Sequence, residues 1–327
     1  MSAALPDSCS IRAPTMDDLE AVTDLLNTCA IAEYGTAEYS TDEIRSDWEW
    51  PGFRLEKDGW VVLASDGKVV GYASVWVKAQ VHILAEGYTH PAYLGRGIGT
   101  SLLDLTEARA YELVQEAPAG ARVTLSNGIS GVNHAARQLL EYRGYTAARH
   151  DWRMEIELTE APPAPQWSAG ISLRHFVPGQ DDRAVHEARE EAFRDHRGHL
   201  PIPFEQWHHH MQQRETFDPT LWFLAMDGSQ IAGLLLAYAE PELGWIDQVA
   251  VRRPRRRQGL GMALLQHAFG EFYRRGVPKV ALGVDAQSLT GATRLYEAAG
   301  MHATRQYDRY EKELRPGVEL STQALAE

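Results

Sequence analysis

The sequence predicts a mixed α/β protein that contains two tandem copies of one fold. In the second copy, a strand leads into an arginine-rich turn with Gly259 and Gly261 and then into an amphipathic helix. The first copy has the same order around Gly97 and Gly99, and 259 minus 97 gives an offset of 162 residues. Residues 159–170 separate the copies, because the prolines there disfavour helix and favour an extended spacer.

Length and composition agree with two soluble domains. A chain of 327 residues exceeds what one hydrophobic core usually serves. Hydrophobic residues make up 44% of the chain and charged residues 24%, which is typical of globular proteins. The two cysteines, Cys9 and Cys29, give no disulfide framework and favour a reducing compartment.

The first copy begins with a strand, a helix and a hairpin. Apolar spacing predicts a helix at residues 17–28, after a short strand that begins at Ile11. Two alternating segments surround the turn at residues 66–67, which indicates a β-hairpin, and a further strand follows. These three strands are expected at residues 60–64, 69–77 and 81–89.

The second copy repeats this plan. A strand at residues 171–174 precedes an acidic helix, and a second hairpin surrounds the turn at residues 227–228. A later helix matches one in the first copy, and Gly300 lies 156 residues after Gly144 (300 minus 144). We therefore expect an N-terminal domain at residues 1–158, a linker at 159–170, a C-terminal domain at 171–315 and a loose tail at 316–327.

The glycine turn of the second copy has the chemistry of a phosphate site. Glycines let the backbone approach closely, and the first amides of a helix have no partners inside it. Five arginines flank this turn although the net charge of the chain is -13. They are Arg252, Arg253, Arg255, Arg256 and Arg257. A pyrophosphate is the expected ligand, and the alternative is a solvated basic turn before a surface helix.

Two motifs in the second copy resemble the GNAT superfamily of N-acetyltransferases. The segment Arg256-Arg257-Gln258-Gly259-Leu260-Gly261 fits the cofactor loop R/Q-x-x-G-x-G/A in full. On the following helix, the family pattern is matched by Ala292, Leu295, Tyr296 and Gly300, with Met301 in place of an aromatic residue. The two copies together are similar to the tandem arrangement of mycothiol-synthase-type acetyltransferases.

This resemblance implies a fold and a cofactor. Each copy is expected to be a mixed sheet flanked by helices and splayed open between its fourth and fifth strands, where the pantetheine arm of acetyl-CoA enters. No metal is implied. The implied cofactor-binding residues are Val249, Ala250, Val251, Arg256, Arg257, Gln258, Gly259, Leu260, Gly261, Met262, Ser288 and Ala292. Ser288 replaces the asparagine that the family usually has ahead of the alanine, which leaves that contact uncertain.

Acetyl transfer requires an acid and a base, since free alkyl amines are mostly protonated at neutral pH and the thiolate must gain a proton. The resemblance assigns the acid to Tyr296. Asp247 is a candidate base, because strand alternation gives it the same side as Val249 and Val251. The alternative for Asp247 is a strand-end carboxylate paired with a nearby arginine.

The first copy lacks two of these features. Leu140 stands at the position of Tyr296, and Leu94 replaces the leading arginine of the loop. We therefore expect catalysis in the second copy. A vestigial cofactor site in the first copy would use Arg96, Gly97, Ile98, Gly99 and Asn133, and the alternative is a structural or acceptor-shaping role.

Polar aromatic helices at the start of the second copy are expected to recognise the acceptor. Candidate acceptor carboxylates are Glu190, Glu191, Asp195 and Glu205, unless this run is a solvated helix face. Residues 208–210 are three successive histidines, which point about 100 degrees apart on a helix and cannot converge on one metal ion.

The leading hypothesis is an acetyl-CoA-dependent N-acetyltransferase that acts on a primary amine of a small molecule. A non-catalytic acyl-CoA-binding sensor or scaffold and a protein-lysine acetyltransferase are the alternatives. An acidic chain with a pI near 5.5 is not expected to bind nucleic acid. Because the most apolar run, residues 231–239, is too short to cross a bilayer, we expect a cytoplasmic protein.

Overall fold

A computed structural model describes residues 5–6, 8–78, 80–196, 198–212, 216–288 and 290–322, without the side chains of Lys78, His210 and Gln212. The chain forms two compact units. Unit 1 comprises residues 1–148 and 307–320, and unit 2 comprises residues 149–306 and 321–327. Within the described ranges, no helix is both long and apolar enough to cross a membrane.

Unit 1 is a mixed sheet with helices on both faces. Its strands are β1 (Cys9–Arg12), β2 (Gly59–Ala64), β3 (Val69–Lys78), β4 (His82–Thr89), β5 (Val123–Ser130) and the later part of β12 (His302–Arg315). Its helices are α1 (Leu19–Tyr34), α2 (Thr41–Trp48), α3 (Leu55–Asp58), α4 (Ile98–Leu113) and α5 (His134–Tyr142). Neighbouring strands are antiparallel except for the parallel pair β4 and β5. Apolar residues on one face pack under α1 and α2, and those on the other pack under α4 and α5.

Unit 2 has the same architecture. Its strands are β6 (Thr146–Glu157), β7 (Ile171–His175), β8 (Trp222–Asp227), β9 (Gln230–Ala239), β10 (Gly244–Val251) and β11 (Lys279–Asp285). Its helices are α6 (Asp182–Phe193), α7 (Phe204–Gln212), α8 (Leu260–Arg274) and α9 (Ala292–Ala298). The strands lie in the order β6-β11-β10-β9-β8-β7, and only β10 and β11 are parallel. One face packs under α8 and α9, and the other packs under α6 and α7. The mixed α/β fold in two tandem copies is thus confirmed.

Short 3-10 helices connect several of these elements. They lie at Met16–Asp18, Pro91–Tyr93, Val114–Glu116, Pro219–Leu221 and Arg253–Arg255. The last of them leads directly into the glycine turn of unit 2.

The last strand of each sheet comes from the other half of the sequence. Residues Tyr307 to Arg315 of β12 pair antiparallel with β5 in unit 1. β6 precedes the proline-rich segment but pairs antiparallel with β11 in unit 2. The predicted domain ranges follow the duplication in the sequence, and the compact units differ from them by one strand each. Strands pair through their backbone groups, so apolar periodicity does not reveal which strand is the partner of another.

Two segments predicted to lie outside the domains make specific contacts. In the proline-rich segment, Trp167 packs against the apolar cluster under α8, and the Ser168 hydroxyl donates a 2.7 Å hydrogen bond to the Gln258 carbonyl. In the tail, the Val318 amide donates to Gly120 (2.8 Å) and the Thr322 amide donates to His199 (3.2 Å). The prediction of a loose tail was therefore wrong for residues 316–322, and residues 323–327 lie outside the described chain.

Candidate active site

The two central strands of unit 2 part where the sequence predicts a cleft. β10 pairs in parallel with β11 only from Gly244 to Ile246, opposite residues 280–282. β10 remains paired with β9 as far as Val251. The other edge of β10 therefore has no strand pairing in the described chain from Asp247 onward, and its backbone groups face an opening. The predicted splay between the fourth and fifth strands of the copy is confirmed.

A β-bulge lies at Asp247, where this opening begins. Along β10, Ile246 opposes Ala237 of β9 and Gln248 opposes Leu236, so that Asp247 is an extra residue on its strand. A bulge of this kind breaks the alternation of side chains and increases the local twist. The bulge therefore redirects the candidate base.

The bulge removes Asp247 from the face predicted for it. Val249 and Val251 pack on the α8 side of the sheet. The Asp247 carboxylate instead accepts a 3.0 Å hydrogen bond from Gln248, whose amide also lies 3.6 Å from the sulfur of Met211 in α7. The prediction that Asp247 shares a side with the two valines was wrong, because alternation does not continue through a bulge. Asp247 lines a small cavity with Met211, Thr216, Phe217, Trp222, Ala237 and Tyr238.

The glycine turn of unit 2 presents free backbone amides at the start of α8. Gly259 precedes the helix with a φ of 78°, and Arg257 has a φ of 61°, so both lie in the left-handed region. The first hydrogen bond of the helix runs from the Ala263 amide to the Gly259 carbonyl (3.0 Å). The amides of residues 259–262 precede that bond and point out of the helix end. A backbone of this shape, called the cradle below, is suited to hold an anion.

Arg256 is held away from this cradle by Asp195. Its guanidinium donates to Asp195 (2.5 Å), to the Ala192 carbonyl (2.9 Å) and to the Val251 carbonyl (3.0 Å). Arg253 donates to the same carboxylate, whose side chain is 2% exposed. Arg253, together with Arg256, holds the pKa of Asp195 well below its usual range. Arg256 thus connects the loop to α6 and β10. The hydrogen-bond donors of its guanidinium are engaged by other parts of the protein.

Carboxylates also neutralise most of the other arginines near the turn. Arg252 pairs with Glu191 (2.6 Å), and Arg255 pairs with Asp227. Arg257 is exposed, and no ion pair or hydrogen bond holds its guanidinium within the described ranges. Four of the five arginines are thus engaged by carboxylates, and Arg257 is the one of the five that faces solvent without an ion pair in the described ranges.

Leu260, Gly261 and Met262 contribute to packing and offer no polar side chain to a ligand. Leu260 is buried under the sheet, and Met262 is half-buried. A methyl group added to Gly261 would lie 3.0 Å from Leu295 of α9, so this glycine permits the close approach of α8 and α9. Ala250 is buried on the α6 and α7 side, while Ala292 packs partly buried on the α8 side.

Tyr296 lies in α9 within the apolar cluster of α8, β10 and β11. It is 8% exposed, and burial raises the pKa of its phenol to about 12. No residue of the described chain hydrogen-bonds its hydroxyl. A phenol with this pKa remains protonated at neutral pH, which a proton donor requires.

Ser288 does not take the place of an asparagine cap. Its hydroxyl lies 3.0 Å from that of Thr290, and α9 begins after Gly291 with a φ of 73°. In unit 1, Asn133 caps α5 by accepting from the Ala136 amide (2.9 Å). Leu289 stands as far before Tyr296 as Asn133 stands before Leu140, and it lies outside the described residues.

Unit 1 has the same backbone conformation at its glycine turn but no tyrosine at the position of Tyr296. Gly95 and Gly97 have φ values of 75° and 86°, which match the left-handed residues of unit 2. Arg96 stacks over Tyr93 at 4.7 Å. The other predicted residues of this site are Ile98, which is buried, Gly99, which no side chain approaches closely, and Asn133. Leu140, the counterpart of Tyr296, is buried in the apolar cluster under α4 and α5.

Three of the four predicted acceptor carboxylates have protein partners. Asp195 and Glu191 pair with loop arginines, and Glu190 pairs with Arg189 and with His199 (3.3 Å). These three carboxylates are engaged within the protein, and Glu205 is the exposed one of the set. The sequence did not indicate the anchoring role of Asp195, because its arginine partners follow about 60 residues later along the chain.

The described side chains of the successive histidines are not arranged around a metal ion. His208 lies 3.2 Å from Asp182 of α6. The side chain of His210 lies outside the described part of the chain. Across the described ranges, no group of three or more His, Cys, Asp or Glu side chains is arranged to hold a metal ion.

The fold is that of an acyltransferase family, and sequence comparison agrees. The profile of the acetyltransferase (GNAT) family matches residues 19–145 and 183–301, which cover most of both copies. The chain belongs to this family and is an N-acetyltransferase. Proteins of the family and its structural neighbours use acetyl-CoA or another acyl-CoA.

Individual relatives agree with this assignment. A mycothiol acetyltransferase of Streptomyces scabiei is 32% identical over 247 residues, which cover 73% of this chain and 75% of the relative. A GCN5-related N-acetyltransferase from Sphaerobacter thermophilus has a TM-score of 0.83 and 43% identity, with 98% of this chain and 100% of the other covered. A tandem GNAT protein from the clavulanic acid biosynthesis pathway shares the fold, with a TM-score of 0.71 at 15% identity, over 95% of this chain and 100% of the other.

Proposed function

We propose that unit 2 transfers an acetyl group from acetyl-CoA to a primary amine of a small molecule. The observation that carries this proposal is the difference between the two copies at one position. Tyr296 supplies a buried phenol in unit 2, whereas Leu140 in unit 1 cannot donate a proton. Similarity to proteins named mycothiol acetyltransferase favours a small-molecule acceptor over a protein lysine.

The residues of unit 2 fit the cofactor. Acetyl-CoA would supply the acetyl group as a reactive thioester. The amides of residues 259–262 and the exposed guanidinium of Arg257 suit a pyrophosphate. The unpaired edge of β10, from Asp247 to Val251, offers backbone donors and acceptors to the amides of a pantetheine arm. Gly261 and Ala292 contribute by keeping α8 and α9 close behind this edge.

Tyr296 would act as the general acid. Its phenol is protonated at neutral pH, because burial raises its pKa to about 12. No residue within the described ranges engages the hydroxyl, so its proton is available to a leaving thiolate. A positioned acid of this kind typically contributes a rate factor of about 100 or more.

Asp247 would act as the general base. Its carboxylate lies at the first residue beyond the parting of β10 and β11. Gln248 donates to it (3.0 Å) and accepts from the Arg189 guanidinium (3.2 Å), which holds the carboxylate in one orientation. The amino group of the acceptor would bind in the small cavity that Asp247 lines, next to this carboxylate.

The proposal is tested by following CoA thiol release from acetyl-CoA with a panel of acceptors. The panel contains polyamines, aminoglycosides, amino acids, cysteinyl amino sugars and lysine peptides. Tyr296→Phe should lower turnover by about 100-fold with little change in acetyl-CoA affinity. Tyr273→Phe, which alters an exposed tyrosine of α8, is the matched control and should leave turnover unchanged.

Other outcomes have distinct meanings. Unchanged turnover in Tyr296→Phe would remove this residue from the acid role. Tight acetyl-CoA binding without thiol release toward any amine of the panel would favour a non-catalytic sensor or scaffold. Asp247→Asn should lower turnover at neutral pH, and an unchanged rate would assign the base elsewhere.

A further inference from the structure

A serine ahead of the first strand of unit 2 holds one peptide group of the glycine turn. The Ser168 hydroxyl donates a 2.7 Å hydrogen bond to the carbonyl oxygen of Gln258. This carbonyl belongs to the trans peptide bond between Gln258 and Gly259. In a planar trans peptide, the carbonyl and the N–H point in opposite directions. The hydrogen bond therefore turns the Gly259 amide away from Ser168, and this amide is one of those that the cradle offers to an anion.

A contact is needed to hold this peptide, because a glycine follows it. Gly259 has a φ of 78°, and glycine adopts positive and negative φ about equally well. Rotation of the peptide would exchange the directions of its carbonyl and its N–H, which would remove one donor from the cradle. The side chain of Gln258 is engaged elsewhere, since its amide donates to the Pro254 carbonyl (3.1 Å).

The backbone of Ser168 is itself held in place. Trp167 packs against the apolar cluster under α8, and its ring lies 6.2 Å from that of His267 in this helix. On the other side, the Ile171 amide donates to the Ser168 carbonyl (3.1 Å) at the start of β7. Because these contacts order the serine in advance, its hydroxyl loses little freedom when it bonds to the turn.

Unit 1 has a proline at the position of Ser168. Cys9 opens β1 and Ile171 opens β7, and each pairs with the last residue of the following strand. The Cys9 amide donates to the Pro6 carbonyl (2.8 Å), over the same spacing of three residues as the Ile171 amide to Ser168. The two copies thus share this turn, but proline has no hydroxyl to donate.

We propose that Ser168 is a positioning residue of unit 2, which directs the Gly259 amide at the pyrophosphate of acetyl-CoA. The identity of this ligand rests on the proposed function. Ser168 acts through the peptide that it holds and does not itself bind the cofactor. The end of the proline-rich segment therefore belongs to the cofactor site of unit 2.

Isothermal titration calorimetry of the full chain with coenzyme A tests the proposal without an acceptor. Ser168→Ala should weaken binding by about fivefold, since one neutral hydrogen bond is lost. Ser168→Thr keeps a hydroxyl and should stay within about twofold of wild type. Ser172→Ala, which removes an exposed hydroxyl of β7, is the matched control and should leave the affinity unchanged.

Steady-state kinetics separates positioning of the pyrophosphate from a general distortion. Ser168→Ala should raise the KM for acetyl-CoA by about fivefold and leave kcat unchanged. With S-acetylpantetheine as donor, kcat/KM should stay within about twofold of wild type, because this donor has no pyrophosphate for the Gly259 amide. A general distortion would lower kcat/KM for both donors alike.

The proposal is overturned if Ser168→Ala binds coenzyme A as tightly as wild type, if Ser168→Thr binds as weakly as Ser168→Ala, or if both donors are affected equally. Thermal unfolding of each variant excludes a folding defect. Coenzyme A binding that depends on Ser168, without thiol release toward any amine of the panel, would overturn the proposed function and leave the role of Ser168 in place.

Discussion

The Asp195 carboxylate lies 2.5 Å from the guanidinium of Arg256, and this ion pair joins the end of α6 to the glycine turn of unit 2. The same carboxylate binds Arg253, so one almost buried acid anchors two residues of the turn. The arginine that the family motif would give to the cofactor is therefore a support for the loop. Loop geometry and cofactor binding should respond together when this anchor is removed.

Asp195→Asn should lower the unfolding temperature by about 4 °C and raise the KM for acetyl-CoA several-fold, because two guanidinium groups lose their shared charge. Thermal unfolding and steady-state kinetics measure the two effects. Asp227→Asn removes the partner of Arg255 in a more exposed pair and should change both values little. Equal effects in the two variants would show that Asp195 is not a special anchor.

The effect of Asp195→Asn on stability should depend on pH in one direction. Arg253 and then Arg256 lower the pKa of Asp195 in the folded state. The stabilisation is therefore complete above the unfolded pKa of about 3.9 and disappears as the pH falls through the lower folded value. Wild type and variant should differ at neutral pH and converge in strong acid. Urea unfolding across this range measures the difference.

Arg257→Gly should raise the KM for acetyl-CoA by about fivefold, because the guanidinium without an ion pair is lost. Stability should change little, since glycine relieves the strain of the left-handed backbone but gains freedom in the unfolded chain. Unit 1 has Gly95 at this position with a similar φ of 75°. Arg257→Asn, which tolerates the same backbone, should raise KM equally. An effect of Gly alone would indicate backbone flexibility instead of charge.

Gly261→Ala and Gly99→Ala should change different properties of the protein. A methyl group on Gly261 would lie 3.0 Å from Leu295, which precedes Tyr296 in α9, whereas one on Gly99 meets nothing closer than 3.6 Å. We expect a several-fold lower kcat for Gly261→Ala and a stability gain of up to about 1 kcal/mol for Gly99→Ala. Kinetics and urea unfolding of both variants check this. A normal kcat in Gly261→Ala would show that α9 tolerates the displacement.

Periodicity and glycine placement predicted much of this fold. The two hairpins, the two glycine turns and the helices after them follow from local signals such as those around residues 66–67 and 227–228. The exchange of β6 and β12 did not follow, because the pairing partners of these strands are set by backbone contacts between distant segments.

The site was less accessible to sequence reasoning than the fold. The bulge at Asp247 interrupts the alternation of side chains between Ile246 and Gln248. The residue pattern of β10 does not predict this bulge. In the sequence, Asp195 is one of several acidic residues in a polar segment. Its role as an anchor depends on Arg253 and Arg256, which lie in a loop far along the chain.

The central claim, that unit 2 and not unit 1 performs acetyl transfer, is tested most directly by paired changes in the two cradles. Gly259 and Gly97 have φ values of 78° and 86°, and an added methyl group meets no atom within 4 Å at either position. Gly259→Ala and Gly97→Ala therefore carry a similar backbone strain of about 1 kcal/mol. kcat/KM for acetyl-CoA, measured by thiol release, should fall at least about tenfold in Gly259→Ala and stay within about twofold of wild type in Gly97→Ala. Loss of activity in Gly97→Ala with a normal Gly259→Ala would contradict the account and assign the chemistry to unit 1.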